Sequence, residues 1–368
     1  MARSKRKKRS GNYTSPNENY SGIGGQAVIE GIMMKKDDKY AVAVRTPSGD
    51  IDVTLEEYDS FVTSQTLLKV PFIRGVFSFI DSLLLGIKVL NYSANFYEEE
   101  DKAKQIERRK KGYKGKAKEK FIDRLLGDNA DKILAGITVL ISLIFAIALF
   151  MLTPYFLSQL FKLVIVNRTV IAIIEGILRV LIFVLYVVVI SMMKDIKRVY
   201  KYHAAEHKCI NCLESGKILN VENVRRSSRI HKRCGTSFMF FVIFVSVILF
   251  MFIREEDPIM RVLIRILLLP VISGISYEFI RFAGNHDNKF IDFISAPGML
   301  LQKLTTCELD GFDAKVADSD KRFSDDDIIE VAITAVDYVF DWRTYLIEHH
   351  NYTMEDFYVQ PADSGIYD

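Results

Sequence analysis

Two imidazoles and a carboxylate fall within five residues of one another in KDIKRVYKYHAAEHKCINC, residues 194–212. His203 and His207 are four apart and Glu206 lies between them, giving the order H-x-x-E-H. On a helix that advances about 100° per residue, these three share a stripe with Ile196, Val199, Tyr200 and Ile210. Lys194, Lys197, Arg198, Lys201 and Lys208 fall on the other side, which is expected to meet water or lipid headgroups. Two histidines one turn apart can reach one cation, and a neighbouring carboxylate can act as a general base. This is the inverted form of the zinc-peptidase helix. The ion expected is Zn2+ or another divalent metal. The competing reading is a pair of core histidines bonded to Glu206 or to the backbone.

A metal site of this kind needs a third protein ligand. Glu278, in ISYEFIRF, is the favoured candidate, His231, in HKRCGTSF, is the second, and His286 or Asp287 follow. Arg233 could stabilise a developing oxyanion. Cys209 and Cys212 have the spacing of half a zinc knuckle, perhaps joined by Cys234, but they project about 120° and 180° from His203. The glycines of GIGGQ are not followed by Gly-Lys-Ser/Thr, so they do not form a phosphate loop and instead permit tight turns. Glu30 would share a strand face with Val28 and Ile32, and Arg74 is the cation expected to pair with it.

The elements that must position these residues are largely apolar. The chain has 368 residues, 49% of them hydrophobic, and a net charge of +3. Four cysteines with no even framework, and no secretory leader, give no reason to expect structural disulfides. Residues 1–20 form a basic, polar tail; its charge suits a membrane surface better than nucleic acid, which is not expected as a partner. Residues 21–66 read as a small antiparallel β-meander, with strands at Gln26–Lys35, Lys39–Arg45 and Ile51–Leu55. Residues 67–97 are apolar but broken by Lys69, Arg74, Asp81 and Lys88, and read as an interfacial or re-entrant helix. A charged segment, 98–132, follows. Four apolar spans lie within 133–283, at Ile133–Leu152, Val170–Met193, Thr236–Ile253 and Met260–Phe282, with the motif region 194–235 between the second and third. Residues 284–346 hold a second surface helix and a C-terminal helix, Asp325–Tyr345, opened by a Ser324/Asp327 capping box. A tail, 347–368, closes the chain.

Charge bias orients the spans. Residues 98–132 carry twelve Lys/Arg against nine Asp/Glu and residues 194–235 eleven against four, so both are expected to be cytoplasmic, with both termini. The 154–168 connection and the turn at residues 254–257 then lie outside. In this topology His203, His207, His231 and Glu278 meet at one depth on the inner face of the membrane. Glu175, near the outer end of its span, has Arg179, Arg261 and Arg265 as cation partners. The fold class expected is an α-helical integral membrane protein: four transmembrane helices, one interfacial or re-entrant helix, a small N-terminal antiparallel β-meander and cytoplasmic helices.

Several separated segments, GGQAVIEGIMMK, PFIRG, YHAAEHK, HKRCGTSF, PVISGISYEF, PGMLLQKLTT and DDDIIEVAI, occur in the order seen in the YqhQ-like bacterial membrane proteins. The chain resembles that family from Gly22 to about Tyr345. The resemblance implies a bacterial inner-membrane location and a predicted metal-dependent enzyme; it supplies no substrate. The function expected is a membrane-bound metal-dependent hydrolase acting on a membrane-associated peptide or a lipid-linked ester or amide. In it His203 and His207 hold the metal with Glu278 or His231, and Glu206 is the base. The alternative is a non-enzymatic membrane scaffold, binding lipid or protein, with a structural metal or polar cluster. Oligomeric state is left open.

Overall fold

The computed structural model describes residues 19–58, 60, 69–110, 130–231, 234–253, 255, 257–285, 289–309 and 323–358. The basic tail before residue 19, the segment 111–129, Arg233, His286, Asp287 and the end of the C-terminal tail lie outside them. Among the described residues the protein is mostly helical, with one small sheet near its N-terminus.

The sheet has four antiparallel strands in sequence order: β1 (Ile23–Val28), β2 (Gly31–Lys36), β3 (Lys39–Arg45) and β4 (Ile51–Glu57). The single strand expected over Gln26–Lys35 is two. The chain reverses through Ile29-Glu30, with Val28 opposite Gly31 and Glu30 in the left-handed region at φ 52°. A non-glycine residue rarely adopts that conformation, so composition alone did not mark the turn. Alternation gives the sheet two buried faces. Ile23, Ile32, Met34 and Ala43 face one core, and Val28, Met33, Val42 and Val44 face another.

The second core is closed by α1 (Ile73–Lys110), through Leu85 and Val89. α1 is longer than the expected surface helix because the charged residues after Asn95 are good helix formers and extend it. Its first turn lies against the last long apolar helix: a Cβ at Gly274 would stand 2.6 Å from the Phe72 carbonyl, so only glycine permits that approach.

The next helices are α2 (Ala130–Ile147), a π-helical turn (Ala148–Leu152) and α3 (Thr153–Leu160). The expected loop after residue 153 is therefore helical to Leu160; Pro154, which cannot donate to the Phe150 carbonyl, follows the π-helical turn, and Arg179 Nε donates to that carbonyl at 3.2 Å. Then come α4 (Arg168–Ser191), α5 (Lys194–Glu214), α6 (Val221–Arg225), α7 (Gly235–Phe250) and α8 (Pro258–Asn285). Among the described residues three segments are long and apolar enough to cross a membrane: Gly136–Leu163, Arg168–Ser191 and Ile259–Ala283. α7 is apolar but has 16 residues, shorter than the roughly 20 that a bilayer core needs.

α9 (Lys289–Thr305), α10 (Asp325–Val339), α11 (Trp342–His350) and α12 (Glu355–Tyr358) complete the chain. The Ser324/Asp327 capping box is present at the start of α10. The single C-terminal helix expected to Tyr345 breaks at Phe340, which is extended, and Asp341 caps a new helix. α10 packs Ile328, Ile329, Val331, Ala332, Ala335 and Val336 into the first core with α5.

Candidate metal centre

α5 is the helix that carries the H-x-x-E-H residues. From Tyr202 to Leu213 it is buried on nearly all sides, with His203 and Asn211 half-buried, so the amphipathic reading holds only for its first two turns. The charges expected to face water or headgroups are partly used inside. Arg198 clasps Glu30 through two nitrogens, Lys201 binds Asp325 at 2.8 Å, and Lys208 donates to the carbonyls of Arg225 and Ser227, both at 2.9 Å. Lys208 is only 5% exposed. An ammonium can be buried there because carbonyl oxygens replace its water.

His203 and His207 present their rings to each other, with centroids 4.4 Å apart. His203 Nδ1 lies 2.8 Å from the Thr305 carbonyl and His207 Nδ1 lies 2.7 Å from the Arg229 carbonyl. A carbonyl oxygen only accepts, so each Nδ1 carries the proton and donates it. In the neutral rings each Nε2 is then unprotonated, and that of His203 lies within hydrogen-bond reach of the Cys234 thiol. Burial lowers the pKa of His207, which favours that neutral form. Metal-ligating histidines are commonly fixed in this way, with the second nitrogen bonded to a carbonyl.

The third donor is Cys234. His203, His207 and Cys234 offer ligand atoms that all lie within 4.8 Å of one another, the one such group among the described residues. Cys234 Sγ is 3.3 Å from His203 Nε2. The sulfur also caps α7, accepting from the Thr236 amide at 3.4 Å. Two imidazole nitrogens and a thiolate match the donors zinc takes. Sequence reasoning considered Cys234 only as a partner of Cys209 and Cys212. Its signal was weak: a cysteine three residues after His231, at the mouth of an apolar helix.

Glu206 completes the group. Its carboxylate is 5% exposed and lies 3.9 Å from Nε2 of both histidines. Burial raises its pKa, against the opposing pull of His203 and His231. The backbone of β1 lies directly on it, since a Cβ at Gly25 would meet Glu206 Cγ at 2.7 Å.

The remaining expected residues are placed as follows. His231 is adjacent, its ring 5.8 Å from His207, but its Nε2 points to Glu214 at 3.6 Å. Gln302 holds the His231 backbone, accepting from its N–H at 2.9 Å and donating to its carbonyl at 2.7 Å. Glu278 does not join the group. Arg74 Nε donates to its carboxylate at 2.6 Å, and the Phe72 amide adds a bond at 3.2 Å. The expected Glu30–Arg74 pair is thus replaced by two others, Glu30–Arg198 and Glu278–Arg74. Arg233 lies outside the described residues. Cys209 and Cys212 are buried in the first core, away from the ligand group.

Fold and site together define a helical protein with three bilayer-length helices. A small sheet and a buried His–His–Cys group with an adjacent glutamate lie on the residues between and beyond those helices. The chain belongs to the family described as Protein of unknown function (DUF1385), which matches residues 70–342. It is 34% identical over 290 residues to the Uncharacterized protein YqhQ of Bacillus subtilis (strain 168), covering 77% of this chain and 86% of that protein. No solved structure matches.

Proposed function

We propose that the protein is a membrane-bound, metal-dependent hydrolase with its site at the cytoplasmic interface of a bacterial inner membrane. The observation that carries this reading is the geometry of the two rings: both histidines place Nδ1 on backbone carbonyls and turn Nε2 toward the Cys234 sulfur beside a buried carboxylate. The basic loop 194–235 and segment 98–132 support a cytoplasmic site. α7, with its flanking residues, would be the fourth span.

In this reading His203, His207 and Cys234 hold Zn2+. The ion would supply Lewis acidity toward a carbonyl and make water a usable nucleophile at neutral pH. Glu206, 3.9 Å from both Nε2 atoms, would accept the proton of the attacking water and return it to the leaving group. The Thr305 and Arg229 carbonyls hold the two imidazoles in register. Peptide, ester and amide bonds near the membrane all suit this chemistry.

The test is metal analysis of the detergent-purified chain, paired with turnover of fluorogenic peptide and ester pools. Glu206→Gln is expected to keep the metal and abolish turnover. A Glu206→Gln variant that turns over substrate at the wild-type rate rejects it as base, and a wild-type chain that takes up no divalent metal rejects the hydrolase reading.

A further inference from the structure

We infer that the substrate is a polypeptide, bound in extended form as a fifth strand on the open edge of β1; this deepens the hydrolase reading and rests on it for the chemistry.

Among the described residues β1 is an edge strand, paired only with β2. The direction of its backbone groups follows from the register. The Arg45 amide bonds the Glu30 carbonyl, so even-numbered residues of β2 turn toward β3 and odd-numbered ones toward β1. With Gly31 opposite Val28, the groups of Gly24, Gln26 and Val28 point to β2, and those of Ile23, Gly25, Ala27 and Ile29 point outward. The two ends of that outward row are closed by hydroxyls: Ser21 takes the Ile23 amide at 3.3 Å and Ser93 takes the Ile29 amide at 3.2 Å. Between them, no backbone partner is found among the described residues for the N–H and C=O groups of Gly25 and Ala27. A pair of alternate residues with open donors and acceptors is what an added strand requires.

The open edge runs along the chemistry. α5 lies along β1, with Tyr202 at Glu30, Glu206 at Gly25 and Glu214 at Ser21. Around α5, Lys201, which binds Asp325 of α10, lies about 160° from His203, whereas Glu206 lies about 60° from it. β2 and β3 lie on the α10 side. The ligand histidines therefore lie on the opposite side of Glu206, the side toward which β1 is unpaired. A strand added at the usual spacing of about 4.8 Å would run past Glu206 on that side, next to the Gly25 backbone that lies on the Glu206 side chain. Gly25 lets the β1 backbone lie directly on Glu206, since a Cβ there would stand 2.7 Å from Glu206 Cγ.

The experiment uses the full chain in detergent micelles, zinc-loaded and carrying Glu206→Gln so that bound peptide is not cut. The probe is a fluorescein-labelled decapeptide of alternating valine and threonine, read by anisotropy against empty micelles. Ala27→Pro removes one outward amide and is tolerated on an edge strand. It is expected to weaken binding roughly tenfold with metal content unchanged. Two further probes, N-methylated on alternate amides in the two registers, need no change in the protein. One is expected to lose about tenfold and the other to bind within about twofold of the parent. Absence of peptide binding to the metal-loaded chain, or equal binding of both methylated probes, overturns the inference while leaving the hydrolase reading intact. Register-selective binding by a chain that takes up no metal does the reverse. A dimer that Ala27→Pro dissolves assigns the edge to a second copy and also overturns it.

Discussion

Two buried carboxylates, Glu175 and Glu206, have opposite surroundings. Glu175 sits on α4 among the apolar helices and is closed in by cations. Arg179 binds it at 2.8 Å, Arg265 binds the same oxygen, and Arg261 approaches the other at 3.7 Å. The guanidiniums of Arg179 and Arg265 each lie 4.8 Å from the Phe250 ring, and Arg179 also donates to the Phe150 carbonyl at 3.2 Å. Every side of that carboxylate is answered by charge. Glu206 is equally buried, but no Lys or Arg pairs with it among the described residues; it faces two imidazoles whose far nitrogens are already used. The first arrangement fixes helices, and the second leaves a carboxylate, two lone pairs and a sulfur facing one point. Burial alone does not distinguish the two carboxylates; the groups set around them do.

The comparison is broken most sharply by removing donors. His203→Ala, His207→Ala and Cys234→Ala are each expected to lower bound metal from about one equivalent to under about a tenth, since a site that keeps one position open has only three protein ligands to lose. Elemental analysis of the folded, detergent-purified variants checks this, and retention of a full equivalent by Cys234→Ala would remove sulfur from the site. Glu175→Gln acts on the other side of the comparison. It leaves buried guanidiniums without their anion, and is expected to cost about 3–5 kcal/mol of stability while the metal content of the folded fraction stays at wild type. Thermal unfolding with metal analysis of the same samples separates the two effects. Loss of metal in Glu175→Gln would mean that the clusters are coupled.

A subtler change tests whether Glu206 is held where it must be. Gly25→Ala puts a methyl 2.7 Å from Glu206 Cγ, so the carboxylate has to shift. Displacement by about 1 Å commonly costs on the order of 100-fold in rate, and no ligand is touched. Turnover of the peptide pool is expected to fall by that order with a full metal complement. An unchanged rate would show that the Glu206 position is not critical.

The parts legible in the sequence are those set by local periodicity. The H-x-x-E-H spacing placed two imidazoles and a carboxylate together, long apolar runs marked the three bilayer-length helices, and Ser324 with Asp327 announced a helix start. Glu175 was matched with its arginines because membrane-length apolar helices leave a carboxylate few other partners. What was not legible depends on contacts distant in sequence. The Thr305 and Arg229 carbonyls are backbone atoms and carry no residue signature. Glu278 reads from the sequence as the third metal ligand or as a partner of Arg281 or Arg233, whereas its partner is Arg74, 204 residues away. Cys234 carries no spacing rule linking it to His203, because the loop that returns it is pinned by Gln302 and by Asn211, which donates to Ser228 and Ile230.

The smallest expected effect is the most selective. Cys209 and Cys212 are closer to His207 in sequence than Cys234 is, and their C-x-x-C spacing is the more familiar metal signature. They lie on the side of α5 that packs against α10, in the first core. Burial raises both thiols, Cys212 to about 11 and Cys209 well above its ordinary value, which opposes the thiolate that metal binding needs. Cys209→Ala and Cys212→Ala are therefore expected to hold a full equivalent of metal, whereas Cys234→Ala does not. Cobalt substitution gives a second reading. The thiolate-to-cobalt charge-transfer band is expected in wild type and in both of these variants and absent from Cys234→Ala. A band that followed Cys209 or Cys212 instead would move the centre to the far face of α5, leaving Glu206 with no ion to serve.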